Sequence, residues 1–94
     1  MIAPFREEPG WTGAFTRSQV PGAIRNGRRI VKVETEEGDF NPVGTEGAVL
    51  GSFNHPKIFA GVVMYFVEWD GTPRVAVAVL GRKIAEKDAQ GVRQ

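Results

Sequence analysis

The sequence has 94 residues, and its 12 basic and 11 acidic residues give it a formal net charge of +1. This length fits one small domain, which buries only about 60–65% of the surface that its unfolded chain exposes. A charge so close to zero is unlike the strongly basic composition of dedicated nucleic-acid-binding domains. The absence of cysteine excludes disulfides, thiolate catalysis and cysteine-based zinc sites, and we expect no metal or other cofactor.

The N-terminus and the apolar runs decide the expected compartment. The first ten residues contain no basic segment followed by an apolar stretch, which predicts that no signal peptide is present. The longest apolar run, residues 62–67, is far shorter than the roughly 20 residues that a membrane span needs. We therefore expect a cytoplasmic protein that does not enter a membrane.

Residues 1–27 predict an irregular N-terminal arm. Proline and glycine are frequent there, and both disfavour a long helix or a central strand. The same stretch carries Phe5, Trp11 and Phe15, which a disordered arm would rarely need. We expect these aromatic side chains to pack on the rest of the protein.

Residues 28–85 alternate between short apolar runs and turn-forming residues, which predicts an all-β domain. The predicted strands are 28–34, 47–53, 62–69, 74–80 and 83–85. Asp70-Gly71 lies between two apolar strands and is a strong hairpin signal. The polar residues 86–94 predict a frayed C-terminal tail, and a single helical turn that ends at Gly91 is the alternative.

The first predicted strand shows simple alternation. Val31 and Val33 fall on one face of the strand, and Lys32 and Glu34 fall on the other. Alternation of this kind is typical of a strand that meets the core on one side only.

Two short motifs resemble the KOW and Tudor families. Residues 44–49, Gly-Thr-Glu-Gly-Ala-Val, resemble the G-T-x-G-x-V start of the second strand, and residues 65–70, Tyr-Phe-Val-Glu-Trp-Asp, resemble the Y-x-V-x-F/W-D third strand. The resemblance covers about residues 27–85 and implies a five-stranded SH3-like barrel, here with an irregular N-terminal arm. Such barrels bind RNA, DNA, modified tails, proline-rich peptides or sister subunits. Members that bind proline-rich peptides have an aromatic-rich first loop, whereas this loop has only Phe40.

The hairpin at residues 62–80 is apolar on both faces, although one face of a barrel strand usually meets water. Either the N-terminal arm covers the second face with Trp11 and Phe15, or a partner or a second copy of the chain does. We therefore expect a non-catalytic binding or assembly module that acts through protein–protein association, a homodimer included. The candidate protein-binding residues are Met64, Phe66, Ala78 and Leu80.

Nucleic-acid binding is the alternative hypothesis. Two groups of cations lie near the start of the first strand and the end of the last, and these strands are commonly neighbours in a small barrel. A merged basic patch would suit a phosphate backbone. The candidate residues are Arg25, Arg28, Arg29, Lys32, Arg82 and Lys83.

Catalysis and metal binding find little support in the sequence. His55 follows Ser52 at a spacing of three, but no glycine-flanked nucleophile is present. Five acidic residues lie within residues 30–50, but the calcium-loop pattern is absent, and a solvated loop is the simpler interpretation. We therefore expect no catalytic and no metal-binding residues. The five acidic residues are Glu34, Glu36, Glu37, Asp39 and Glu46.

Overall fold

The computed structural model describes residues 5–54 and 61–87, and it confirms the expected all-β class. A 3-10 helix connects the last two of five strands. The strands are β1 at Arg29–Lys32, β2 at Glu46–Asn54, β3 at Val63–Trp69, β4 at Val77–Leu80 and β5 at Ile84–Glu86, and the 3-10 helix is Gly81–Lys83. Within the described residues, no helix is both long and apolar enough to cross a membrane.

The five strands form one antiparallel sheet in the order β4-β3-β2-β1-β5. Ile30 of β1 lies opposite Glu86 of β5, so the first and last strands are neighbours, as expected. The sheet is not closed, because β4 and β5 lie at its two edges. The 3-10 helix carries the chain from one edge to the other.

The long second strand lets the sheet curve. β2 has nine residues and pairs with β1 on one side and with β3 on the other. Its register with β3 shifts between Val49 and Gly51, and a bulge of this kind bends a strand and increases its twist. The inner surface of the curved sheet holds the main core. Its buried residues are Ile30, Val49, Tyr65, Val67, Trp69, Val79 and Ile84.

The N-terminal arm covers the outer surface of β2 and β3. Phe15 is only 1% exposed and forms a second buried cluster with Leu50 and Phe66. Trp11 packs at the margin of this cluster, with its ring centroid 5.2 Å from that of Phe15. The two aromatic residues expected to cover the second face therefore do so.

The arm is fastened to β2 by hydrogen bonds at Ser52. The Ser52 amide donates to the Ser18 carbonyl at 2.8 Å, and the Val20 amide donates to the Ser52 hydroxyl oxygen at 2.9 Å. At Gly51, a Cβ atom would overlap the carbonyl oxygen of Thr16. This close approach requires glycine and lets the arm cross β2 in direct backbone contact.

The burial of the residues in β1 shows which face of this strand points toward the core. Ile30 and Lys32 are the buried residues of β1, whereas Val33 is 47% exposed. The face with Lys32 therefore turns inward, and the face of Val31 and Val33 does not. A lysine can occupy an inward position because its aliphatic stem is apolar and Asp39 meets its ammonium group at 3.3 Å.

The connection between β3 and β4 is longer than a two-residue hairpin turn. The Thr72 amide donates to the Trp69 carbonyl, and the Val75 amide donates to the Thr72 carbonyl, so two turns follow each other. The positive φ falls on Arg74, at 64°, and not on Gly71. The predicted antiparallel pairing is present, but β4 begins at Val77, three residues after the predicted start.

Candidate functional site

A groove of about 530 Å³ lies between the loop that joins β1 to β2 and the strand β4. Residues 38–41 of the loop form one wall, and β4 forms the other. Most of the lining side chains are apolar, which is typical of ligand sites on proteins. The apolar lining residues are Phe40, Met64, Trp69, Val75, Val77, Ala78, Val79 and Leu80.

Phe40 is the most exposed large apolar side chain in the described part of the chain. It is 98% exposed although it lies in the wall of the groove. An exposed phenylalanine contributes nothing to the core, but it offers a large apolar surface to a ligand.

The N-terminal arm pairs with the outer edge of the sheet just before β4 begins. The Thr12 amide donates to the Arg74 carbonyl at 2.8 Å, and the Ala76 amide donates to the Thr12 carbonyl at 3.0 Å. This forms a single parallel bridge between Thr12 and Val75. Gly13 follows with a φ of 94°, and a Cβ there would lie 3.1 Å from the Ala76 carbonyl oxygen. The arm therefore turns away from the edge at Gly13.

The edge beyond this bridge has unpaired backbone groups. In a β-strand, the backbone groups of alternate residues point to the same side. The Ala76 amide points outward to Thr12, so the backbone groups of Ala78 and the amide of Leu80 point outward as well. Among the described residues no strand pairs with β4 on that side.

Two buried lysines lie at one end of the groove and share one carboxylate. The ammonium groups of Lys32 and Lys83 lie 3.3 and 2.9 Å from an oxygen of Asp39. Lys32 and Lys83 are 4% and 8% exposed, and all three residues line the groove. The hydrogen bond from Lys83, that from the Glu36 amide and the proximity of Lys32 hold the pKa of Asp39 well below its usual range.

Salt bridges around this end fix the loop against the 3-10 helix. Arg82 contacts both Glu34 and Glu36 at 2.6 Å, and Lys83 contacts Glu36 at 3.3 Å. The acidic loop is therefore not simply solvated, because three of its carboxylates serve as counter-ions for β1 and the 3-10 helix. This fastening holds the wall with Phe40 in place beside β4.

The structure separates the four candidate protein-binding residues into two groups. Met64, Ala78 and Leu80 line the groove. Phe66 does not line it and is only 5% exposed, because Phe15 of the arm packs on it. The four candidate residues therefore do not form one continuous exposed surface, because it is interrupted at Phe66.

Five of the six candidate nucleic-acid-binding residues take part in intramolecular ion pairs. Arg28 contacts Glu86 at 2.6 Å, and Arg29 contacts Asp70 and Glu46. Lys32, Arg82 and Lys83 are held by the loop carboxylates. Arg25 is exposed, and its side chain has no ionic partner within the described ranges. Pairing of β1 with β5 brings the two groups near each other, but acidic residues are interleaved with them.

Not all of the residues considered for catalysis and metal binding lie in the described part of the chain. Ser52 is fully buried, and its hydroxyl group accepts a hydrogen bond from Val20, whereas His55 lies outside the described residues. Among residues 5–54 and 61–87, no group of three or more potential metal ligands is close enough to hold an ion.

The sequence pattern did not indicate that Phe40, Lys32, Asp39 and Lys83 lie in one site. The available signal was Phe40 itself, a lone aromatic residue in a polar loop, since such residues are rarely needed for packing. The two lysines appeared as members of a basic surface patch, but their burial depends on a loop carboxylate that only the folded chain brings to them.

Comparison with known protein families, with curated proteins and with solved structures gives no significant match to this chain.

The low pKa of Asp39 predicts a specific pH dependence of stability. A carboxyl group with a lowered folded-state pKa stabilises the fold above its unfolded pKa, about 3.9 for aspartate, and loses this contribution as the pH falls. Asp39→Asn is therefore expected to lower the thermal midpoint at neutral pH, with a difference from wild type that narrows below about pH 4. Thermal unfolding between neutral and strongly acidic pH measures this difference.

Glu37→Gln provides the matched control for Asp39→Asn. Glu37 is exposed in the same loop and makes no ion pair among the described residues, so its variant should follow the wild-type pH profile. If the thermal midpoints of Asp39→Asn and wild type differ by the same amount at neutral and at acidic pH, the ionic role of Asp39 is contradicted.

Proposed function

We propose that this protein is a non-catalytic protein-binding module, and that a peptide segment of its partner binds in the groove between residues 38–41 and β4. The observation that carries this proposal is a mainly apolar groove beside a strand with an unpaired edge. Concave apolar sites with a few polar groups are the usual place of ligand binding. Unpaired strand edges readily accept another chain.

The architecture supports assigning the module to the SH3-like type. All five strands pair in the order β4-β3-β2-β1-β5, and a 3-10 helix joins the last two. Residues 44–49, which resemble the KOW and Tudor motif, lie at the start of β2, and residues 65–70 lie in β3 and its end. Since this fold serves many functions, the proposed function depends on the groove and not on the fold.

The charges favour a protein partner over a nucleic acid. Phosphate binding requires cations that are available to release counter-ions, whereas five of the six candidate cations are already paired with carboxylates. The groove itself is lined mainly by apolar side chains, which suit a peptide better than a sugar–phosphate backbone.

The burial of Phe66 favours a peptide in the groove over a flat dimer contact. A symmetric interface across β3 and β4 would need Phe66 at its centre, but the arm already occupies that position. Met64, Ala78 and Leu80 remain available because they line the groove.

Selection of displayed peptides against the wild-type protein tests the proposal. We expect peptides whose affinity falls at least about tenfold in Phe40→Ala, because a buried aromatic contact at an interface commonly contributes this much. Val43→Ala is the matched control. Val43 is a 57% exposed apolar residue of the same loop that does not line the groove, so binding should be unchanged.

Two results would count against the proposal. Peptides that bind Phe40→Ala as tightly as wild type would show that the groove is not the binding site. Tight oligonucleotide binding that weakens steeply with salt, in a protein that selects no peptide, would favour the nucleic-acid hypothesis instead.

A further inference from the structure

We propose that the groove binds the C-terminal end of an extended peptide, which adds to β4 as a parallel strand and places its carboxylate beside Lys32 and Lys83. This inference rests on the proposed function and specifies its ligand. It follows from the free edge of β4, from the direction in which the arm pairs with that edge, and from the charged end of the groove.

The arm shows that this edge accepts a parallel chain. Thr12 forms both hydrogen bonds of a parallel bridge, one to the Arg74 carbonyl and one from the Ala76 amide. The arm then turns away at Gly13, whose φ of 94° suits glycine. A second chain can therefore begin after Ala76, beyond the point where the arm departs, and continue in the same direction.

The free edge matches a short peptide. Gly13 of the arm lies against the Ala76 carbonyl, so the free outward-pointing groups are the amide and carbonyl of Ala78 and the amide of Leu80. Backbone hydrogen bonds to these groups would provide affinity, while the apolar lining would select apolar side chains at alternate positions. Gly81–Lys83 then leaves the strand direction as a 3-10 helix, so the added strand must end or bend there.

The charged end of the groove suits a carboxylate. Lys32 is 4% exposed, and its ammonium group has three N–H donors. Its one acceptor among the described residues is Asp39, at the long distance of 3.3 Å. Lys83 lies 2.9 Å from the same carboxylate and 3.3 Å from that of Glu36, so its charge is already met by two anions. A ligand carboxylate would accept hydrogen bonds from the N–H groups of Lys32 that have no acceptor among the described residues.

Paired peptide pools test this inference. The probes are N-acetylated tetrapeptides with apolar residues, prepared once as free C-terminal acids and once as C-terminal amides. We expect the acids to bind at least about tenfold more tightly, since hydrogen bonds to charged groups exceed neutral ones by this order. Isothermal calorimetry or fluorescence polarisation gives the two affinities.

A backbone variant tests the strand addition separately. Ala78→Pro removes the outward amide of Ala78, and proline is tolerated on an edge strand when its nitrogen faces away from the sheet. We expect this variant to fold and to lose binding of the free acids at least about tenfold. Ala78→Ser changes the side chain but keeps the amide, so it should lose much less affinity than Ala78→Pro. Circular dichroism checks that both variants are folded.

The outcomes distinguish this inference from the proposed function. Equal binding of acids and amides would overturn the carboxylate role, and undiminished binding by a folded Ala78→Pro would overturn the strand addition. Binding of internal peptide segments at Phe40, with no binding of either tetrapeptide pool, would also overturn the inference but leave the proposed function in place. If no peptide of any kind binds, both are wrong.

Discussion

Phe15→Ala is expected to lower the free energy of unfolding by about 3–5 kcal/mol, the range for emptying a buried phenylalanine site. Phe15 is 1% exposed and packs between Leu50 and Phe66. Its loss would leave a cavity between the arm and the sheet and would expose the outer face of β3. Urea unfolding followed by tryptophan fluorescence measures the change.

Phe40→Ala is the matched control for this variant. It removes the same side chain from a position that is 98% exposed, where substitutions usually change stability by less than about 0.5 kcal/mol. A Phe15→Ala variant as stable as Phe40→Ala would mean that the arm does not contribute to the folded core.

Gly51→Ala is expected to destabilise the protein by about 3 kcal/mol, at the upper end of typical overpacking effects. The new Cβ would overlap the Thr16 carbonyl oxygen, which is part of the backbone and cannot move aside like a side chain. The arm would have to separate from β2 and would strain its bonds to Ser52. Thermal and urea unfolding of the variant measure the loss.

Gly71→Ala adds the same methyl group where nothing lies within 4 Å of it. Its stability should stay close to that of wild type, within about 0.5 kcal/mol. A Gly51→Ala variant that unfolds like Gly71→Ala would contradict the close crossing of the arm over β2.

The succession of strands along the chain was predictable because the signals for each strand and turn are local. Alternating apolar residues define β3, and Asp70-Gly71 marks the reversal into β4. The boundaries were less predictable, since the reversal uses two successive turns and assigns the positive φ to Arg74. No local preference favours arginine at that position.

The inward direction of Lys32 was not predictable from its own strand. Alternation defines two faces, but the choice between them depends on what each face meets. Ile30 contributes to the core. Lys32 also points inward, because the carboxylate of Asp39, in the loop that follows β1, lies beside its ammonium group. The same loop brings Phe40 to β4, so the groove depends on contacts that a sequence pattern does not contain.

The role of the arm was predictable in part. Its aromatic residues indicated packing on the sheet, and Trp11 and Phe15 are the residues that do so. Its path depends on Gly51 and Ser52 of β2 and on the bridge at Thr12. The unpaired edge of β4 is a consequence of where this path departs.

The most direct test of the groove as a protein-binding site is an NMR titration of the ¹⁵N-labelled protein with a selected peptide. We predict that the largest amide shifts fall on residues 38–41 and on β4, with Ala78 and Leu80 among them. Residues of the arm distant from the groove, such as Ser18, should shift little. Shifts confined to the arm or to the region around Arg25, with the groove unchanged, would contradict the account.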